Sequence, residues 1–127
     1  MQGLIRVLLV LLVVGCALAQ TQQTDGAALC GFYNGLTANA GKSSLRNWCV
    51  GSGPYSPCGS PSWTGVTCGT VGRVRRVVKL DVSSKRLAGS LSTAIGNLGA
   101  LTGLCLWRNS LSGSLPSLVA EWINCAI

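Results

Sequence analysis

The chain has 127 residues, 48% of them hydrophobic, with ten Lys and Arg, three Asp and Glu and no His. That length suits one small domain, and so few acids make most hydrolytic chemistry hard to build. The lack of His removes the commonest metal ligand, the usual base for a Ser or Cys nucleophile and the near-neutral pH switch. An enzyme is therefore not expected, and no catalytic residue, metal or cofactor is assigned. With 17 Gly and seven Cys the composition points to a turn-rich scaffold braced by disulfides.

The chain opens with Arg6, the apolar run Val7 to Val14, and Ala17-Leu18-Ala19 before Gln20. The run is too short for the roughly 20 residues that span a bilayer, and small-x-small is a cleavage pattern. Residues 1–19 are read as a secretory signal peptide, which predicts a secreted or cell-surface product. A short uncleaved anchor is the bland alternative. Val13-Val14-Gly15-Cys16 resembles a bacterial lipoprotein box, a sharper but less favoured one. Without this segment the chain keeps nine basic residues, three acidic ones and six cysteines. Six cysteines in an oxidising compartment imply disulfides but leave fifteen pairings open. None of the six stands at the two-residue spacing of zinc sites, so metal binding is not expected.

Next, Asp25 is predicted to N-cap a helix running to about residue 38, with Ala28, Leu29, Phe32 and Leu36 on one side. Trp48 and Trp63 read as core plugs rather than binding aromatics. Gly51, Gly53, Pro54, Pro57, Gly59 and Pro61 make the stretch between them an irregular loop that needs covalent bracing.

Shifted by 24 positions, the chain then matches itself: Val77 on Leu101, Leu80 on Leu104, Val82 on Leu106, Leu87 on Leu111, Gly89 on Gly113 and Leu91 on Leu115. Each copy reads L-x-x-L-x-L-x-x-N-x-L-x-G-x-L, except that Lys85 takes the Asn slot that Asn109 fills in the second copy. Leu80 with Val82, and Leu104 with Leu106, alternate at period two, so each pair points one side of a short strand into a core. Neighbouring coils stack these anchors, because a single coil cannot bury its apolar face alone. Asn109 is expected to satisfy backbone groups where the chain leaves the strand, and Gly89 and Gly113 to supply tight backbone geometry there. Val119, Trp122 and Cys125 begin a third copy whose strand leucine would fall one place past Ile127, which predicts a truncated piece of a longer array.

Thr24-Asp25-Gly26-Ala27-Ala28-Leu29, Leu45-Arg46-Asn47-Trp48, Pro57-Cys58 and Ser62-Trp63-Thr64-Gly65-Val66-Thr67-Cys68, followed by Gly72-Arg73-Val74, resemble the N-terminal cap of plant-type leucine-rich-repeat proteins. Leu80-Asp81-Val82-Ser83, Leu87-Ala88-Gly89-Ser90-Leu91 and Ile95-Gly96-Asn97-Leu98 extend the resemblance, which covers residues 24–125. The families it implies are leucine-rich-repeat receptor-like kinases, receptor-like proteins and polygalacturonase-inhibiting proteins. The fold class is then an α/β solenoid, a fragment of a right-handed leucine-rich-repeat superhelix with a disulfide-braced helical cap over residues 20–72 and about two repeats plus the start of a third over 73–127. By the same resemblance Cys30 pairs with Cys49 and Cys58 with Cys68. Cys105 and Cys125 fall outside the family cap. A bond between them is one reading, and one exposed plus one buried thiol is the reading preferred.

The residues that alternate with the strand leucines are Lys79, Asp81 and Ser83, then Gly103, Cys105 and Trp107. They would form the concave surface on which such solenoids bind proteins, peptides or glycans, with Trp107 and Arg108 as the best anchor. A rim Trp packed on its own coil is an equal alternative. Arg73, Arg75, Arg76, Lys79, Lys85 and Arg86, near the single Asp81, could attract an anionic polysaccharide. A solvated strand edge that resists pairing is the preferred explanation of that run. Nucleic acid is not expected as a partner, and membrane association would need sequence not present here or an uncleaved signal segment. The function expected is a recognition module, the N-terminal part of a receptor-like ectodomain. The alternative is a stand-alone inhibitor or defence protein similar to polygalacturonase-inhibiting proteins.

Overall fold

The computed structural model describes residues 23–113. Residues 1–19, read as a signal peptide, and the expected start of a third copy, with Val119, Trp122 and Cys125, lie outside the described residues. Helix α1 covers residues 23–34 and a short α2 spans Ala40–Ser43. Five strands follow: β1 Val66–Val71, β2 Val74–Asp81, β3 Ala88–Ser90, β4 Gly103–Cys105 and β5 Ser110–Ser112, with a 3-10 helix at Thr93–Asn97. One sheet has the order β1-β2-β4, with β1 antiparallel and β4 parallel to β2, and the other pairs β3 with β5 in parallel. The first sheet thus joins the predicted cap to the predicted repeats.

The 24-residue register is visible directly, since Lys79 pairs with Gly103, Leu80 with Leu104 and Asp81 with Cys105. Val77, Leu80, Val82, Leu87 and Leu104 are fully buried, as the alternation required. In the second sheet Gly89 pairs with Leu111 and Ser90 with Ser112, an offset of 22. Backbone shape still repeats at 24. Gly89 and Gly113 share a positive φ (115° and 102°), as do Ser84 and Arg108 (54° and 56°) at the bend after each strand. At Gly89 a side chain would also run into the Gly35 carbonyl and the Leu36 backbone.

Asn109 works as the pattern implied and reaches further than its own coil. Its Oδ1 accepts from the backbone N–H of Lys85 (3.2 Å) and Leu87 (2.9 Å), while its Nδ2 donates to the carbonyls of Val82 (2.8 Å) and Leu106 (3.0 Å). One amide closes the bends of two coils, which explains how Lys85 can occupy the first copy's Asn slot. On the other side of that bend, Gly41 of α2 lies so close that a Cβ would strike the Lys85 and Arg86 carbonyl oxygens, and Asn39 Nδ2 donates to Arg86 (3.3 Å).

Two expectations for the cap are corrected. Helix α1 stops at 34 rather than near 38, because the chain leaves it to pair with β3: the Thr37 N–H donates to Ala88 (2.8 Å), the Ser90 N–H donates to Gly35 (3.0 Å), and Leu36 bridges Gly89. Asp25 is not an N-cap. Residues 23 and 24 are already helical, and its carboxylate is wholly buried against the first coil. Arg76 donates to it twice, Nε to Oδ2 at 2.8 Å and a terminal N–H to Oδ1 at 2.9 Å, and the Val77 backbone N–H adds a third bond at 3.0 Å. The bond to Asp25 raises the Arg76 pKa further above its already high value.

The core runs from α1 through the cap aromatics to the strand leucines. Trp48 and Trp63 are 3% and 6% exposed with ring centroids 5.6 Å apart, and the Trp48 indole donates to the Thr64 carbonyl at 2.8 Å. They are core plugs. Disulfides join Cys30 to Cys49 and Cys58 to Cys68. Bridges of this kind contribute about 2–4 kcal/mol each. Cys105 corrects the preferred reading of an exposed thiol. It is disulfide-bonded and 2% exposed, with a partner outside the described residues. All three residues of β4 are buried, so strand alternation does not translate into exposure there.

Removing the Asp25 carboxylate leaves a guanidinium and a backbone N–H without their acceptor. Asp25→Ala should cost about 2–4 kcal/mol in urea unfolding of the oxidised chain, towards the lower end because Arg76 is partly solvated. A loss under about 1 kcal/mol would show that the pair does not hold the cap to the first coil.

Candidate functional site

The candidate surface is the face of the β1-β2-β4 sheet that alternates with the buried leucines. In β2 the side chain of Lys79 is exposed and Asp81 is half-buried, followed by half-buried Ser83. Thr67 of β1 stands directly opposite Lys79 and is exposed, adding a hydroxyl to that row. It was not among the residues read from sequence, although the β-branched run Val66-Thr67-Cys68-Gly69-Thr70-Val71 carried the strand signal. On the other side Gly103 is buried and contributes only backbone. Trp107 is half-buried beyond β4, its carbonyl accepting from the Ser84 N–H at 3.0 Å.

Trp107 carries its neighbour with it. The Arg108 guanidinium lies over the indole at 4.6 Å from the ring centroid, a cation–π contact. An exposed Arg108 and a half-exposed ring therefore form one flat cationic plate, and beside it opens a cavity of about 430 Å³ lined partly by Leu106, Asn109 and Leu111. The structure thus brings Lys79, Asp81, Ser83 and the Trp107–Arg108 plate to one face and takes Gly103 out of it as a side-chain contact.

The charge pattern is also narrower than the sequence suggested. Arg76 is committed to Asp25, so the basic run keeps Arg73, Arg75, Lys79, Lys85 and Arg86. Among the described residues the other acid is Asp81, and it too is engaged: its Oδ1 accepts from the Ser83 hydroxyl at 2.6 Å and the Ser83 N–H at 3.1 Å. The Ser83 hydroxyl lowers the Asp81 pKa most, opposed by burial and helped by Lys79 and Lys85. No group of three or more His, Cys, Asp or Glu that could hold a metal occurs among the described residues. No helix among them is long and apolar enough to cross a membrane.

Against known proteins, residues 22–69 match the leucine rich repeat N-terminal domain. The chain is a plant-type leucine-rich-repeat protein. It is 35% identical over 116 residues to the LRR receptor-like serine/threonine-protein kinase EFR of Arabidopsis thaliana, an alignment covering 89% of this chain and 10% of that protein. Among solved structures it is similar to the BIR3–SERK2 complex from Arabidopsis thaliana, at 30% identity and TM-score 0.56 over 76% of this chain and 48% of the other. It is likewise similar to the PEPR1–AtPEP1 structure, at 27% identity and TM-score 0.59 over 80% of this chain and 13% of the other. This leucine-rich-repeat chain therefore spans about a tenth of the curated relative it matches.

A depressed carboxylate gives stability that is present above the unfolded pKa and is lost as pH falls through the folded value. Asp81 should accordingly titrate below an ordinary Asp, and Ser83→Ala should move it back up. Carboxyl NMR titration of both forms checks this, and an unchanged Asp81 in the variant would remove Ser83 as the cause.

Proposed function

We propose that the chain is the N-terminal part of an extracellular or cell-surface receptor-like ectodomain that recognises a protein or peptide, without turnover, on the face carrying Lys79, Asp81, Ser83, Trp107 and Arg108. In that reading its two coils begin a longer right-handed solenoid. The observation that carries the proposal is the register of β2 and β4, which, continued by the bond from the Ser84 N–H to the Trp107 carbonyl, sets the Trp107–Arg108 plate next to Ser83 at the end of the row that Lys79 and Asp81 begin. Aromatic and Arg side chains at the centre of a contact contribute most of its energy, and here both come from one plate. The likeness to a receptor-like kinase and to two structures of complexes supports the same reading.

The exposed charge indicates what approaches. Lys79 is exposed on this face with Asp81 already hydrogen-bonded to Ser83, and Arg73 in the turn before β2 and Arg75 on the strand are exposed too, so the positive field of this region steers an acidic segment of the partner toward the sheet. An anionic polysaccharide would be steered in the same way and is the second ligand class.

Peptides enriched by phage display against the oxidised full chain provide the test. They should bind wild type and lose at least about tenfold in affinity with Trp107→Ala and with Lys79→Glu, both variants keeping the wild-type melting temperature. Enriched peptides indifferent to both substitutions would overturn the assignment of this face.

A further inference from the structure

A second concavity lies on the cap, in the irregular loop between Trp48 and Trp63. It has a volume of about 280 Å³ and is walled by Val50 and Tyr55, with the 6% of Trp63 that stays exposed at its base and Asn47, Ser56 and Ser60 among its polar groups. Val50 is 77% exposed at its edge, one of two large apolar side chains so exposed among the described residues. The size falls just under the roughly 300–1,000 Å³ of small-molecule pockets, enough for one or two rings.

Its chemistry differs from the sheet face in three ways. None of the residues lining it is charged, although the described residues carry nine Lys and Arg, so nothing in it selects an anion. Its polar groups are available: the Ser56 and Ser60 hydroxyls make no hydrogen bond within the protein, and Asn47 spends its Nδ2 on the Ser62 carbonyl (2.8 Å), leaving Oδ1 to accept. The Tyr55 hydroxyl donates to the Gly51 carbonyl (3.2 Å) and keeps its acceptor capacity. Finally, the Tyr55 and Trp63 rings stand 6.4 Å apart at 70°, forming a corner and not a slot between parallel rings.

From this we infer that the cap cleft is a binding site for a neutral sugar ring, separate from the sheet face. A pyranose offers an apolar C–H face to an aromatic wall and hydroxyls around its rim, and the cleft pairs the half-buried Tyr55 ring, propped against Trp63, with two free hydroxyls and an amide oxygen. A proline-rich segment has no backbone N–H at its prolines to give to the Asn47 amide oxygen, and a uronate would need a cation, which the cleft lacks.

The experiment is a titration of the oxidised, isotope-labelled full chain with cellotetraose and with mannotetraose, followed by amide and indole NMR shifts. Tetragalacturonate and a proline decamer run beside them. A neutral tetrasaccharide should shift Tyr55, Ser56, Ser60 and the Trp63 indole with a millimolar dissociation constant. Ser56→Ala with Ser60→Ala should weaken it about tenfold while the spectrum stays folded, and Tyr55→Ala should abolish it. No shift with either neutral sugar up to about 10 mM, the same shifts from the proline decamer, or shifts confined to Lys79, Trp107 and Arg108 would each overturn the inference.

Discussion

The burial of Asp25 fixes how the cap meets the repeats. A carboxylate with no solvent exposure is costly unless its oxygens are all engaged, and here a guanidinium and a backbone N–H 51 and 52 residues away take three bonds. The bidentate Arg76 contact constrains direction as well as distance, so α1 has one seat on β2. That seat puts Leu29 and Phe32 into the same core as Val77, Leu80 and the two cap tryptophans. The cap is thereby a covering layer for the first coil, whose apolar end would otherwise face water.

The first coil in turn is held from both neighbours. Its bend, at Lys85 to Leu87, has no Asn of its own. Asn109 of the second coil supplies both acceptor and donor there, while Asn39 and Gly41 of the cap approach it from the other side. A buried bend with unmet N–H groups costs on the order of 1–3 kcal/mol for each group left open. The first coil is therefore stabilised from both sides, by the cap and by the second coil, which is nearest-neighbour coupling carried by identifiable atoms.

What could be read from the sequence followed the range of the interaction concerned. The strand leucines, Asn109, Gly89 and Gly113 repeat at a fixed offset, so a period exposes them, and Trp48 and Trp63 combine bulk with a loop that had to be covered. The pairings Cys30–Cys49 and Cys58–Cys68 came from resemblance, since spacing alone left many. Asp25 misled because Thr24-Asp25-Gly26 is a local capping signal, whereas its partner sits far along the chain. The end of α1 misled for the same reason: helical periodicity continues to Leu36, but pairing with Ala88 and Ser90 takes the backbone away at residue 34. Cys105 was placed by alternation, which predicts facing and says nothing about what covers a face. Thr67 and the cap cleft needed the third dimension, because their neighbours come from segments with no common period.

The two candidate surfaces divide the chain's chemistry, and this separates them experimentally. Lys79 is exposed on the sheet face, and Arg73 in the turn before β2 and Arg75 on that strand are exposed as well, so an acidic partner near Lys79 gains from charges that salt screens. The Debye length shrinks from about 10 Å at 0.1 M to about 3 Å at 1 M, which removes most attraction between exposed groups. The cap cleft gains nothing from charge, since its aromatic corner, hydroxyls and amide oxygen are all neutral. Raising salt from about 0.1 to 1 M should therefore weaken an acidic peptide on the sheet face several-fold and leave a neutral tetrasaccharide in the cleft nearly unchanged. Equal salt sensitivity of the two would mean that both ligands meet the same basic surface, and the division drawn between the faces would fall.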